Sequence, residues 1–256
     1  MAAVGALVPM YKRAWREALR VPLATFIVPL VVGVFMQTIF ARVFSGLVQL
    51  QAFEGVEYND YLLPGTLIMA VMLGSSTAGV SSAVELQTGF FDRMRIAPLR
   101  ELPSLQARRL ADATRVGLYC TLLLIVGWID GANIENWPLA VAFAFLAPAA
   151  WCFAYGGLAL AACLRTRSAE TAQGMAPLFF PILFMSTAVM PGELLPDWLD
   201  AIATWNPVSY VTDAMRAGFA GDVDGEALGK AAIGVGAVAA LTQLLVMRAR
   251  AGLRAG

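Results

Sequence analysis

Long charge-free stretches, separated by charges that sort by sign, constrain this 256-residue chain more than any other feature. Residues 21–41, 61–84, 136–164, 171–192 and 231–247 contain no Asp, Glu, Lys or Arg. A helix crosses the hydrocarbon of a bilayer with about 20 apolar residues, so four of these runs are long enough. The last is slightly short, but its flanking Lys230 and Arg248 have stems that snorkel. A sixth run, 116–129, reaches full length if its helix begins at Arg108, with Arg108, Arg109, Asp112 and Arg115 on its cytoplasmic turns. The sequence therefore predicts an all-α integral membrane protein. Its six spans are expected at about 21–41, 61–84, 108–129, 136–164, 171–192 and 229–247.

Six spans put 15 of the 18 Lys and Arg on one side: residues 12–20, 93–115, 165–167 and 248–254. Twelve of the 18 Asp and Glu fall on the other, with Arg42, Arg216 and Lys230 as the basic exceptions. Membrane chains keep Lys and Arg mostly in the cytoplasm, so both termini are expected on the cytoplasmic side; the membrane expected is a bacterial cell (inner) membrane. A hydrophobic fraction of 59% with only 14% charged residues agrees with this class. The sorted charges argue against nucleic-acid binding, which needs a basic face open to phosphate. The chain is expected to be one membrane domain, 1–256, with no cleaved secretory signal.

Three segments are not simple spans. Residues 4–20 alternate at helical spacing, with Val4, Leu7, Val8, Tyr11, Trp15, Ala18 and Leu19 on one face. Lys12, Arg13, Arg16, Glu17 and Arg20 take the other, as in a helix lying in the membrane interface. Its role is either to anchor the first span or to act as a lever on a cytoplasmic partner. The loop 85–105 carries Glu85, Gly89, Phe90, Phe91, Arg93, Arg95 and Pro98. Apolar residues among charges suit a short helix docking in a groove of another protein. Residues 193–224 mix Trp198, Trp205, Tyr210 and Phe219 with three prolines nearby, too apolar for an ordinary loop and too broken for a span. One or two short helices dipping into the outer leaflet fit them.

These features together resemble the type 2 ABC transporter permeases, the membrane subunits of drug, lipid and polysaccharide exporters. The resemblance covers the whole chain and rests on Glu85…Gly89…Arg93…Pro98 and on Asn206-Pro207-Val-Ser-Tyr210…Arg216, in that order on a six-span frame. Many relatives carry an acidic-basic-acidic triplet where this chain reads Glu85-Leu86-Gln87, so contact with a partner is expected to differ there. The resemblance implies that 85–105 couples to a separate ATPase subunit, which holds ATP and Mg. It also implies that Asn206, Pro207, Tyr210, Asp213 and Arg216 belong to re-entrant helices closing an outer gate. Two permease chains, as a homodimer or a related pair, would complete the membrane unit.

No catalytic, cofactor or metal residues are assigned. The chain has no His, and Cys120, Cys152 and Cys163 sit in apolar runs as small hydrophobes. The segment Gly225-Glu-Ala-Leu-Gly229-Lys230-Ala231 lacks the spacing and the Ser or Thr of a phosphate loop. The spans look almost free of ionisable groups, which argues against an ion-coupled carrier; a membrane transferase would need an acidic cluster. Gly74-Ser75-Ser76-Thr77-Ala78-Gly79 reads as close helix packing through small residues, or as hydroxyls along a path for an amphiphilic substrate. Phe179, Phe180, Phe184 and Met185 are core, lipid-facing, or part of that path. The function expected is export of a drug-like or lipid amphiphile by alternating access; a polysaccharide or glycolipid exporter is the alternative.

Overall fold

A computed structural model describes residues 2–43, 57–88 and 101–255, and among them every regular element is helical. Four helical stretches are long and apolar enough to cross a membrane: Thr25–Val43, Pro103–Ile129, Trp137–Thr166 and Gly225–Gly252. The runs expected at 61–84 and 171–192 are helical but broken.

The amphipathic helix α1 (Ala2–Arg20) ends ahead of Pro22. A π turn, Leu23–Ile27, then leads into α2 (Val28–Val43). Pro29 has no N–H for the carbonyl four residues back, and the ladder widens just before it, with the Val28 amide reaching Leu23. Contrary to the simple two-faced reading, α1 turns its small residues inward: Ala14 and Ala18 are buried, while Val8 and Leu19 are exposed. The Tyr11 hydroxyl lies 3.0 Å from Thr114 Oγ1 on α5 (Glu101–Ile129).

Helices α3 (Tyr58–Gly74) and α4 (Thr77–Gln87) meet at a break over Ser75 and Ser76. Glu85 is thus helical, and α5 already begins at Glu101, so the loop expected over 85–105 is shorter at both ends. The central helix α6 (Trp137–Thr166) packs against α3, α4, α5 and the two last helices. Asn136 caps it by accepting from the Leu139 amide at 3.2 Å, and Pro138 follows in its first turn, where no N–H is missed. Its end is set by Arg167, in the left-handed region at φ 56°.

After α6 the chain breaks up into α7 (Ala169–Gly174), α8 (Phe179–Phe184), a 3-10 turn (Gly192–Leu194), α9 (Asp197–Ala203) and α10 (Pro207–Phe219). Prolines at 177, 181, 191 and 196 account for the interruptions. Helix α11 (Gly225–Ala255) closes the bundle on α6 and α10. The core lies between α3, α5, α6, α8 and α10, around Trp151, Tyr155 and Phe179 with ring centroids 5.2–6.4 Å apart.

Candidate functional site

Two polar clusters lie near opposite ends of α5. The first lies toward its far end, where the Asp130 carbonyl accepts from Asn59 Nδ2 at 3.1 Å, and the second near its start, where Arg108 touches Glu85. Arg108 and Asp130 are 22 residues apart, about 33 Å along the helix at about 1.5 Å each, close to the thickness of a hydrocarbon core.

The first cluster surrounds the unwound chain after α8. Backbone carbonyls there have no helical partner, and such groups must be satisfied within the protein at membrane depth. Asn206 Nδ2 donates to the carbonyls of Ile182 at 2.6 Å and Met185 at 2.8 Å. The Tyr61 hydroxyl and Arg216 Nη2 each donate to the Thr187 carbonyl at 2.7 Å. Arg216 also reaches the Ala188 carbonyl at 3.3 Å, and the Tyr58 hydroxyl donates to that of Val189 at 3.2 Å. The Thr187 amide donates to Ser209 Oγ at 3.1 Å.

Local sequence explains why α10 delivers these groups. Asn206 is its N-cap, accepting from the Val208 amide at 2.9 Å, and Pro207 is preset for the first helical position. Arg216, nearly three turns on, pairs with Asp213 at 2.6 Å, as the i,i+3 spacing anticipates. Its guanidinium also stacks 3.7 Å from the Tyr61 ring centroid. Gly65 brings α3 against the same carbonyls: a Cβ there would overlap the Ala188 oxygen.

The second cluster ties α1, α4 and α5 together. Glu85 pairs with Arg108 and, at 2.9 Å, with Arg13. Glu17 pairs with Arg13 at 2.8 Å and with Arg108 at 3.2 Å. Burial alone would raise the Glu17 carboxyl, but the Arg108 and Arg13 guanidinium groups hold it below its ordinary value. One turn along α5, Asp112 pairs with Arg115 and accepts from the Ala78 amide at 2.6 Å. Ser76, the N-cap of α4, makes no side-chain cap, so a carboxylate from α5 serves the orphan N–H at that helix start. A cleft of about 170 Å³ opens beside these groups, lined by Thr77, Ser81, Glu17, Arg108, Asp112 and Arg115.

Arg109 points the other way. It donates to the Phe153 carbonyl and, at 3.0 Å, to Gln243 Oε1 on α11. Gly157 makes room for it, since a Cβ would fall 2.8 Å from an Arg109 nitrogen. The four ionisable residues expected on the cytoplasmic turns of this helix, Arg108, Arg109, Asp112 and Arg115, are all buried. Charges so placed need partners; helices α1, α4, α6 and α11 supply them for Arg108, Asp112 and Arg109, while Arg115 pairs with Asp112 on α5 itself.

The expected site residues distribute unevenly. Gly89, Phe90, Phe91, Arg93, Arg95 and Pro98 lie outside the described residues; Glu85 is buried in the second cluster. Asn206, Pro207, Asp213 and Arg216 converge on the first cluster, whereas the Tyr210 hydroxyl bonds locally to the Thr204 carbonyl at 2.7 Å. Ser75 is buried, with its carbonyl 2.8 Å from where a Cβ on Gly156 would sit, and Gly79 stands equally close to the Ala159 backbone. That is small-residue packing of α4 on α6. Ser76 is half-buried, and Thr77 lines the small cleft. Phe179 is fully buried; Phe180 and Phe184 are exposed and stacked, with centroids 6.0 Å apart. Met185 lines an apolar groove beside Trp205.

Sequence reasoning missed Tyr58, Tyr61, Gly65 and Ser209. No spacing pattern links them to residues 182–189; only the break after α8 gives them carbonyls to serve. Among the described residues, no group of three or more Cys, Asp and Glu side chains gathers as a metal site. The charged groups of both clusters find partners within the chain, so the clusters brace backbone and join helices.

Long apolar helices joined by internally satisfied polar clusters define a multi-pass α-helical membrane protein. Residues 6–220 match the ABC-2 type transporter family, a span that includes both clusters, and the chain belongs to that family of transport permeases. It is 28% identical over 161 residues to a daunorubicin resistance ABC transporter permease protein, DrrB1, of Streptomyces coeruleorubidus, covering 62% of this chain and 57% of that one. It is 25% identical over 197 residues to the putative transport permease ycf38 of Cyanophora paradoxa, covering 74% and 67%. A probable doxorubicin resistance permease protein, DrrC, of Mycobacterium tuberculosis is 24% identical over 159 residues, covering 62% and 57%. The matched part is thus little more than half the length of both drug-resistance relatives.

Proposed function

We propose that this chain is the membrane subunit of an ATP-driven exporter, moving an amphiphilic small molecule out of the cytoplasm or the inner leaflet. The observation that carries the reading is the family match, which runs through α1, the Glu85 cluster and the Asn206–Arg216 cluster. Relatives named for daunorubicin and doxorubicin resistance favour a drug-like amphiphile as cargo.

In this reading the chain is one membrane domain that crosses an inner membrane six times, with both termini in the cytoplasm. The broken pairs α3–α4 and α7–α8 supply the second and fifth crossings. Two such chains pair, and two separate ATPase subunits hold ATP and Mg. The loop after Thr88 docks on the ATPase. Its movement reaches the bundle through Glu85, which ties that loop's entry to α1 and α5. At the far end, Asn206 and Arg216 hold the unwound segment after α8 as the outer gate. Rigid movement of the halves then alternates access across the bundle. A proton-coupled carrier would need a free carboxylate at depth; the carboxylates buried among the described residues are both committed, Asp112 to Arg115 and the Ala78 amide, Glu85 to Arg108 and Arg13.

The test is ATPase activity in lipid vesicles and doxorubicin export, for the chain alone and with its cognate ATPase subunit. Activity only in the complex, uncoupled from export by Arg93→Glu or by joint Phe90→Ala and Phe91→Ala, is expected. Export by the chain alone, driven by an ion gradient, overturns the reading.

A further inference from the structure

The seam between α6 and α11 holds two apolar hollows, the second of which ends against Ile182, Met185 and Asn206 of the first cluster. One, of about 680 Å³, is walled by Leu158, Leu164 and Leu245 and rimmed by Arg165, Arg167 and Arg248. The other, also about 680 Å³, runs past Trp151, Tyr155 and Leu241 to Trp205. Leu158 and Leu245 line both, so the hollows lie end to end along one furrow with these two side chains at their junction. Along α11 it reaches from Gly252 to Val238, roughly 14 residues or about 21 Å of helix. That exceeds the depth of one leaflet, about 15 Å. The arginine mouth lies at the Glu85 end, where Gln87 Nε2 donates to the Arg167 carbonyl at 3.2 Å.

The three arginines at the mouth are exposed, and none has an ion-pair partner among the described residues. Three cations around one opening repel each other and favour an anion. Guanidinium forks match phosphate oxygens two at a time. The walls below them, in contrast, offer an apolar slot suited to hydrocarbon. A free phosphate leaves that slot empty, and so does an acidic protein surface. A second copy docked by two-fold symmetry through this face sets the same three arginines opposite these.

We infer that the furrow binds an anionic phospholipid, with its phosphate among Arg165, Arg167 and Arg248 and an acyl chain along Leu158 and Leu245. The site stands independently of the transport reading, because it needs only a membrane around the bundle.

The experiment is native mass spectrometry of the full chain, delipidated in mild detergent and titrated with phosphatidylglycerol, phosphatidylcholine or inorganic phosphate. Phosphatidylglycerol is expected to be retained at least about tenfold more strongly than phosphatidylcholine, since each basic residue near an anionic headgroup adds to its hold. Inorganic phosphate should not displace it. The triple change Arg165→Gln, Arg167→Gln and Arg248→Gln should abolish the preference without altering the melting temperature. Filling the slot with Leu158→Trp should weaken both lipids. Equal retention of the two lipids, displacement by phosphate, or an unchanged preference in the triple variant overturns the inference. Loss of ATPase co-purification in that variant with lipid retention intact overturns it too, and makes the arginines a protein contact.

Discussion

Asn206 joins the start of α10 to the end of α8 and the unwound chain that follows it. Its side chain is buried, donates to two carbonyls at 2.6 and 2.8 Å, and caps α10 by accepting at 2.9 Å. Asn206→Ala removes all three bonds together. An unpaired buried carbonyl costs about 1–3 kcal/mol, and a lost cap about 1 kcal/mol. The two carbonyls belong to neighbouring turns and relax as a unit, so the expected loss is about 3–4 kcal/mol and not the full sum. At about 2–4 °C per kcal/mol for a chain of this size, the melting temperature should fall by roughly 10 °C. Asn206→Asp separates the two contributions. The carboxylate keeps the cap and suits a helix N-terminus, but it has no hydrogens for Ile182 and Met185 and turns negative charge on them. It should melt at least as low as the alanine variant. Circular dichroism melting of the purified chain in one detergent measures this, with Tyr210→Phe as a control that loses only an exposed local bond. If Asn206→Asp melts within about 2 °C of wild type, capping accounts for Asn206 and the carbonyl-capture argument fails.

Gly65→Ala pushes a methyl into the Ala188 carbonyl oxygen and should cost about 2–3 kcal/mol in the same assay; an unchanged melt means that α3 does not approach the unwound chain as described. Glu85→Gln keeps the shape but leaves buried Arg108 with Glu17 alone. A loss of about 3 kcal/mol is expected, with faster thiol labelling of a cysteine placed at Ala14. Labelling at the wild-type rate contradicts the tie between α1 and α4. Phe179→Ala should cost about 3–5 kcal/mol because the ring is fully buried. Phe180→Ala, on the exposed face, should stay within about 0.5 kcal/mol, and the reverse order contradicts the placement of α8.

Much of the membrane character was legible in the residues because it is a local property. The length of a charge-free run decides whether a helix there reaches across hydrocarbon, and 136–164 needed nothing else to be read as one long helix. Capping is equally local, so Asn136-Trp137-Pro138 and Asn206-Pro207 announce helix starts wherever the rest of the chain goes. The run 171–192 reads as one span by its lack of charge, and its breaks came only with the structure, because where the chain unwinds depends on which neighbours accept its freed carbonyls.

Tertiary structure alone decided what the charges on α5 do. In sequence, Arg108, Arg109, Asp112 and Arg115 read as the cytoplasmic turns of a span, and the one acidic residue among them cannot pair with all three arginines. Arg115 pairs locally with Asp112, but the other partners come from positions far along the chain: Glu17 and Glu85 for Arg108, the Ala78 amide for Asp112, Gln243 and the Phe153 carbonyl for Arg109. Tyr58, Tyr61 and Gly65 acquire their roles the same way, from a break more than a hundred residues downstream. Hydropathy is a sum over neighbours in sequence, so the chain alone determines that it enters a membrane. A buried charge or an unwound carbonyl is settled only by atoms within about 3 Å, and which atoms those are is fixed when the helices pack.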